Sequence, residues 1–173
     1  MRSFETQNNN SVAGRTNIKS NDMNVLMKKI SRYPLGIWIA LFALILIFLA
    51  WFMQTYSLLD WEGAVKLGLQ NESFFGDTTE RAIADVERGV AMADILWAFP
   101  ITIVAFIGLL RETLIGFITA MMVFGICVYF PLFYACRESM NLDIVLVAIS
   151  LWAIPSLLGI IGLWVNRRLF ITK

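Results

Sequence analysis

The chain has 173 residues, of which 58% are hydrophobic and only 16% charged, and its formal net charge is +1. That length suits one compact domain, and the composition departs from the soluble average toward proteins embedded in a bilayer. Lys and Arg cluster toward the chain ends, which leaves no basic surface for a nucleic acid. The expected partners are membrane lipids, a membrane protein or a second copy of the chain.

Residues 1–24 are polar and rich in Asn and Ser, with too little apolar surface to offset the entropy of ordering. They read as a disordered cytoplasmic tail ahead of a domain over 25–173. The run MNVLMKK from Met23 would itself serve as the start of a bacterial membrane protein, which leaves open whether residues 1–22 belong to it.

Four apolar runs follow, at about 34–54, 91–110, 114–135 and 144–165. Each is near the roughly 20 residues that a helix rising about 1.5 Å per residue needs to cross the hydrocarbon core. Backbone groups find no water in lipid, so such runs must satisfy their hydrogen bonds internally. The fold class is therefore an all-α integral membrane protein with a four-transmembrane-helix bundle. The first run is longer than the core of a cleaved signal peptide and reads as a spanning helix.

Orientation follows from the flanking basic residues, which are retained on the cytoplasmic side. Arg2, Arg15, Lys19, Lys28, Lys29, Arg32, Arg111, Arg167, Arg168 and Lys173 fall on one side, and Lys66, Arg81, Arg88 and Arg137 on the other. Both termini are expected to be cytoplasmic, in the inner membrane of a bacterium.

The second and fourth runs contain similar phrases, LWAFP at 96–100 and LWAIP at 151–155, followed by IGLL at 107–110 and IGLW at 161–164. Two parallel helical-hairpin repeats would produce this, although the first and third runs offer no comparable match. Pro100 and Pro155 each remove one backbone donor, as Pro131 does in the third run, freeing the carbonyls of Leu96, Leu151 and Cys127. Three bends at similar depth are expected, with Trp97 and Trp152 beside a pocket.

Small residues predict the packing seams: Gly36, Ala40 and Ala43 in the first helix, Gly116 and Ala120 in the third, and Ser156, Gly159 and Gly162 in the fourth. Trp38, Trp51, Tyr56, Trp61, Tyr134 and Trp164 lie toward the helix ends and read as interfacial anchors.

The outer connection, about 57–90, begins with an amphipathic stretch in which Trp61, Val65 and Leu69 recur every four residues, as in a short helix on the membrane surface. Asp77 followed by Glu80 is a helix-start signal. A helix begun there meets no break before Pro100 apart from Gly89, and would project beyond the bilayer. On it Glu80, Glu87 and Asp94 are spaced by seven and share a face. This acidic ladder reads either as a cation-attracting entrance or as a solvated face, with Asp94 nearest the lipid and Arg137 as its candidate counter-charge.

The chain has no His, which removes His-ligated haem, the usual non-haem metal sites and imidazole catalysis. Cys127 and Cys136 are nine residues apart on one helix, about 13 Å in rise, and cannot pair. No nucleophile elbow, metal-binding HExxH or phosphate loop occurs. Asn71-Glu72-Ser73 matches a glycosylation sequon that matters only in a eukaryotic secretory pathway. No catalytic residue, metal or cofactor is expected.

Three functions remain open. One is a non-enzymatic protein binding a lipid, a quinone-like molecule or a protein partner. The second is a small transporter or channel subunit, for which a mid-membrane ionisable residue is missing. The third is a lipid-modifying enzyme using Asp94, Glu138 or Asp143. A polar path would favour the transporter, gathered acids the enzyme, and an apolar pocket the binder.

Overall fold

The computed structural model describes residues 25–67, 77–137 and 142–171. Four helices are long and apolar enough to cross a membrane: Leu35–Leu59, Ala84–Leu110, Leu114–Phe133 and Val145–Val165. Less than half of each span is buried inside the chain, and rows of large side chains such as Phe42, Phe52, Ile115 and Leu158 face outward. In water this belt would be an aggregation surface, whereas lipid matches it. The expectations for residues 1–24, Leu69, the Asn71 sequon and Glu138 lie outside the described residues.

A small antiparallel pair, Lys29–Ile30 with Tyr33–Pro34, precedes the first helix and turns through Ser31 at φ 62°. The all-α expectation missed it. The first helix then runs over Leu35–Leu59, five residues beyond the apolar run. Asp60 ends it and caps the next helix, Trp61–Lys66, by accepting from the Gly63 amide at 2.9 Å. A further helix begins at Thr78 and continues without a break to Leu110. Much of the expected outer connection is therefore helical, as its cap signals and spacing imply.

The second and fourth helices share a feature that proline kinks did not foretell. Asp94–Ala98 and Ile149–Ala153 are π-helical, in each case the segment leading into the proline. The Phe99 amide bonds to the Asp94 carbonyl and the Ile154 amide to the Ile149 carbonyl, one residue further back than in an α-helix. Pro100 and Pro155 then fall in the first turn of the α-helical segments Phe99–Leu110 and Ile154–Val165, where a missing donor is tolerated.

The first helix lies along the fourth and the second along the third, while the first and second meet more sparsely. Two glycine crossings set these pairs. A Cβ on Gly36 would stand 2.8 Å from the Gly162 carbonyl oxygen, and one on Gly108 would stand 2.8 Å from the Gly116 amide nitrogen, so only glycine permits these approaches. Gly159 likewise receives the Phe124 ring, 2.7 Å from where its Cβ would be. All the small residues that predict the seams are buried.

The burial pattern repeats along the chain. Gly36, Ala40, Ala43, Leu44, Ile47 and Trp51 of the first helix are buried at the same intervals as Gly116, Ala120, Val123, Phe124, Cys127 and Pro131 of the third. Thr102, Ala105, Gly108 and Leu109 of the second match Ser156, Gly159, Gly162 and Leu163 of the fourth.

The Arg111 end of the bundle is closed. Tyr33 donates its hydroxyl proton to the Leu110 carbonyl at 2.7 Å. The Asn166 side chain donates to the carbonyls of Gly162 at 2.8 Å and Leu26 at 3.4 Å, and Phe170 packs on Phe117 with ring centres 5.5 Å apart.

The crossings can be tested against a glycine that touches nothing. Gly108→Leu should destabilise the bundle by at least about 1–3 kcal/mol, since the Gly116 backbone cannot retreat. Gly125→Ala, where a Cβ meets nothing within 4 Å, should raise stability by up to about 1 kcal/mol through helix propensity. Thermal unfolding in mild detergent, followed by fluorescence, compares them, and equal melting would remove the crossing from its structural role.

Candidate functional site: the seam between the first and second helices

The sparse contact between the first two helices leaves a groove of about 480 Å³, lined by Leu44, Ile45, Phe48, Leu49, Thr102, Ile103, Phe106 and Ile107. Its size falls within the range of small-molecule sites, roughly 300–1,000 Å³. Ile45, Phe48, Leu49, Ile103 and Ile107 are partly exposed, so it opens sideways, where hydrocarbon would be. The lining is almost wholly apolar. Thr102 is the exception, and its hydroxyl is already engaged.

That hydroxyl belongs to a short relay. Trp51 Nε1 donates to Thr102 Oγ1 at 3.2 Å, and Thr102 Oγ1 donates to the Ala98 carbonyl at 2.7 Å. Each buried donor is thus satisfied, and the relay bridges the two helices behind the groove. Trp51 is 3% exposed and meets Trp152 edge-on, ring centres 5.8 Å apart. It is not the interfacial anchor that its sequence position suggests. The first helix extends to Leu59, so Trp51 lies about two turns inside its end and packs within the bundle.

Above the groove, Phe48 stacks on Phe99 with ring centres 5.2 Å apart. Further along the same seam, Gln54 Nε2 donates to Asp94 Oδ2 at 3.5 Å. Asp94 is half-buried and opens the π turn that ends at Phe99. The Phe99 amide closes that turn on the Asp94 carbonyl, and Phe99, Ile103 and Phe106 recur on one face of the α-helical segment that follows.

The other residues singled out from the sequence are dispersed. None of Pro100, Pro131, Pro155, Trp97 and Trp152 lines the groove. Trp97 faces outward at 64% exposure, whereas Trp152 packs inward against Trp51 and Phe130. Pro131 is buried and Pro100 exposed. Glu80, Glu87, Arg137 and Asp143 lie on described helices, but their side chains fall outside the described residues. Among the described residues no group of three or more Cys, Asp or Glu is placed to hold a metal. Gln54 and Thr102 were not singled out from the sequence, although each is a polar residue within an apolar run, which in a membrane helix is itself a signal.

Behind the relay, Cys127 and Ser156 are both fully buried. Ser156 Oγ has no hydrogen-bond partner within ordinary geometry among the described residues. The neighbouring Cys127 thiol is a weak partner at best. Cys136, by contrast, is exposed, and both thiols are free.

The two hydroxyls should therefore behave oppositely. Thr102→Val strands the Trp51 N–H and should cost about 1 kcal/mol, between the ~0.6 kcal/mol typical of side-chain hydrogen bonds between membrane helices and the ~1–3 kcal/mol of an orphaned buried donor. Ser156→Ala removes a hydroxyl that was not satisfied and should leave melting unchanged or raise it. Equal losses for both would contradict the relay. No protein-family model, curated protein or solved structure matches the chain, so its chemistry is read from these side chains.

Proposed function

We propose that this chain is a non-enzymatic membrane protein that binds the hydrocarbon portion of a lipid or quinone-like molecule in the groove between its first and second helices. The observation that carries this reading is the groove itself: apolar, about 480 Å³, and lined by partly exposed side chains of both helices. A hydrocarbon chain entering it exchanges lipid contacts for protein contacts without dehydrating any polar group. The alternatives lack comparable support. A conduit needs a polar path, and the Arg111 end is closed by Tyr33, Asn166 and Phe170. A lipid-modifying enzyme needs acids drawn together, and among the described residues Asp94 meets a neutral amide rather than a second acid.

We extend the proposal to the topology and ancestry of the chain. The chain sits in a bacterial inner membrane with both termini cytoplasmic, for which the basic residues of the Arg111 end speak. Its two halves descend from a duplicated helical hairpin. Support comes from the paired π turns, the paired glycine crossings and the matching burial intervals. Trp97 and Trp152, which occupy unlike surroundings, mark where the copies have diverged.

Native mass spectrometry of the full chain purified in mild detergent tests the binding. An apolar ligand should copurify with the wild type, and Ile103→Trp, which fills the groove from a partly exposed position, should reduce its retention about tenfold, equivalent to ~1.4 kcal/mol. Undiminished retention in a folded variant would overturn the reading. Orientation is tested separately by cysteine labelling in a background lacking Cys127 and Cys136. Gln70→Cys should react with an impermeant reagent from outside and Lys173→Cys should not.

A further inference from the structure

The groove does not end in featureless hydrocarbon. Along one seam, in order from the middle of the bundle, lie the apolar walls, the Phe48–Phe99 stack, and then the Gln54–Asp94 pair. From Thr102 at the groove to Asp94 is eight residues, about 12 Å at the ordinary helical rise. Asp94 is the last charged residue before an unbroken uncharged stretch that reaches Arg111. The two walls are therefore amphiphilic in the same sense, with hydrocarbon below and one carboxylate at the rim.

Among the described residues the carboxylate is poorly satisfied. Its partner is a neutral amide at 3.5 Å, a length at which a hydrogen bond contributes little. A half-buried anion at a membrane boundary gains most from a cation able to approach it without leaving the interface. Asp94 opens a π turn, in which the Phe99 amide reaches back five residues to the Asp94 carbonyl, and Phe99 carries the ring stacked on Phe48 at the top of the groove.

We infer that the groove's occupant is an amine-bearing lipid, whose chain lies between the first and second helices and whose ammonium group binds the Asp94 carboxylate, with Gln54 beside it. This rests on the proposed groove reading and names the ligand class that reading leaves open. The span from groove to carboxylate matches an amphiphile that keeps its charge at the interface and its chain in the core. An anionic headgroup at the same place would meet a like charge. Anionic lipids of the same chain length are therefore discriminated against at the rim and not in the groove.

The test uses the full chain in mild detergent and two probes with identical acyl chains, phosphatidylethanolamine and phosphatidylglycerol, with occupancy read by native mass spectrometry. The wild type should prefer phosphatidylethanolamine about tenfold, the size of one charge-assisted hydrogen bond. Asp94→Asn should abolish that preference while both lipids still bind. Ile103→Trp should weaken both lipids together. Equal affinity of the wild type for the two probes overturns the headgroup assignment and leaves the groove intact. A preference that survives Asp94→Asn also overturns it. Failure of the wild type to bind either lipid overturns the assignment of a lipid to the groove, whereas the groove reading itself falls if no apolar molecule copurifies with the chain. The wild-type comparison needs no variant and decides the question even if Asp94→Asn does not fold.

Discussion

The closest approaches in this bundle are backbone on backbone, and the rest of the structure follows from where they fall. Gly36 meets Gly162 and Gly108 meets Gly116, which fixes the first helix to the fourth and the second to the third. Lipid tails are as apolar as the side chains they would replace, so nothing like hydrophobic collapse draws membrane helices together. Close van der Waals contact and hydrogen bonds must do it. The first and second helices have no glycine crossing between them. What links them is the Trp51–Thr102 relay, the Phe48–Phe99 stack and the Gln54–Asp94 pair, contacts made through side chains that hold the helices apart. The groove is the space left below those props.

The π turns show how a local defect was put to use. A proline within a spanning helix forfeits one amide donor where no water can replace it. Widening the preceding turn moves the missing donor into the first turn of a new α-helical segment, and the change of phase re-aims what lies before it. In the second helix that residue is Asp94, and in the fourth it is Ile149. The same device thus positions a carboxylate in one half of the bundle and an apolar side chain in the other. Among the described residues, a charge stands at this turn in the second helix and not in the fourth.

The parts of this fold that could be read from the sequence are those set by one helix acting alone. Four spanning helices follow from run length, because unsatisfied backbone in lipid allows nothing else. The buried seams at Gly36, Gly116, Ser156, Gly159 and Gly162 follow from side-chain size and spacing. Wherever the outcome depends on two helices together, the reading was incomplete. The LWAFP and LWAIP phrases announced a proline defect but not whether it would become a bend or a wide turn. Trp51 lies near the end of the apolar run, where an aromatic ring reads as an anchor, whereas the helix continues to Leu59 and the ring packs on Trp152. The matching burial intervals of the first and third helices have no counterpart in residue type, since Leu44 stands against Phe124 and Trp51 against Pro131. The groove between the first two helices has no signature in either one, since it depends on the distance between them.

An apolar groove in a membrane protein also differs in kind from one in water. In water an empty 480 Å³ cleft lined by Leu, Ile and Phe would cost the fold contacts and close if it could. In a bilayer, hydrocarbon fills it at little cost, so its persistence requires no special stabilisation, only that the flanking helices be held elsewhere. The converse is that the groove can select little by itself, because one saturated chain resembles another. Discrimination has to come from the place where the occupant stops being hydrocarbon. On this seam the charged side chain among the described residues is Asp94, which meets the neutral Gln54 amide at 3.5 Å. On the proposed reading, residence in the groove and choice of headgroup are therefore separable properties, carried by residues about two turns apart on one helix.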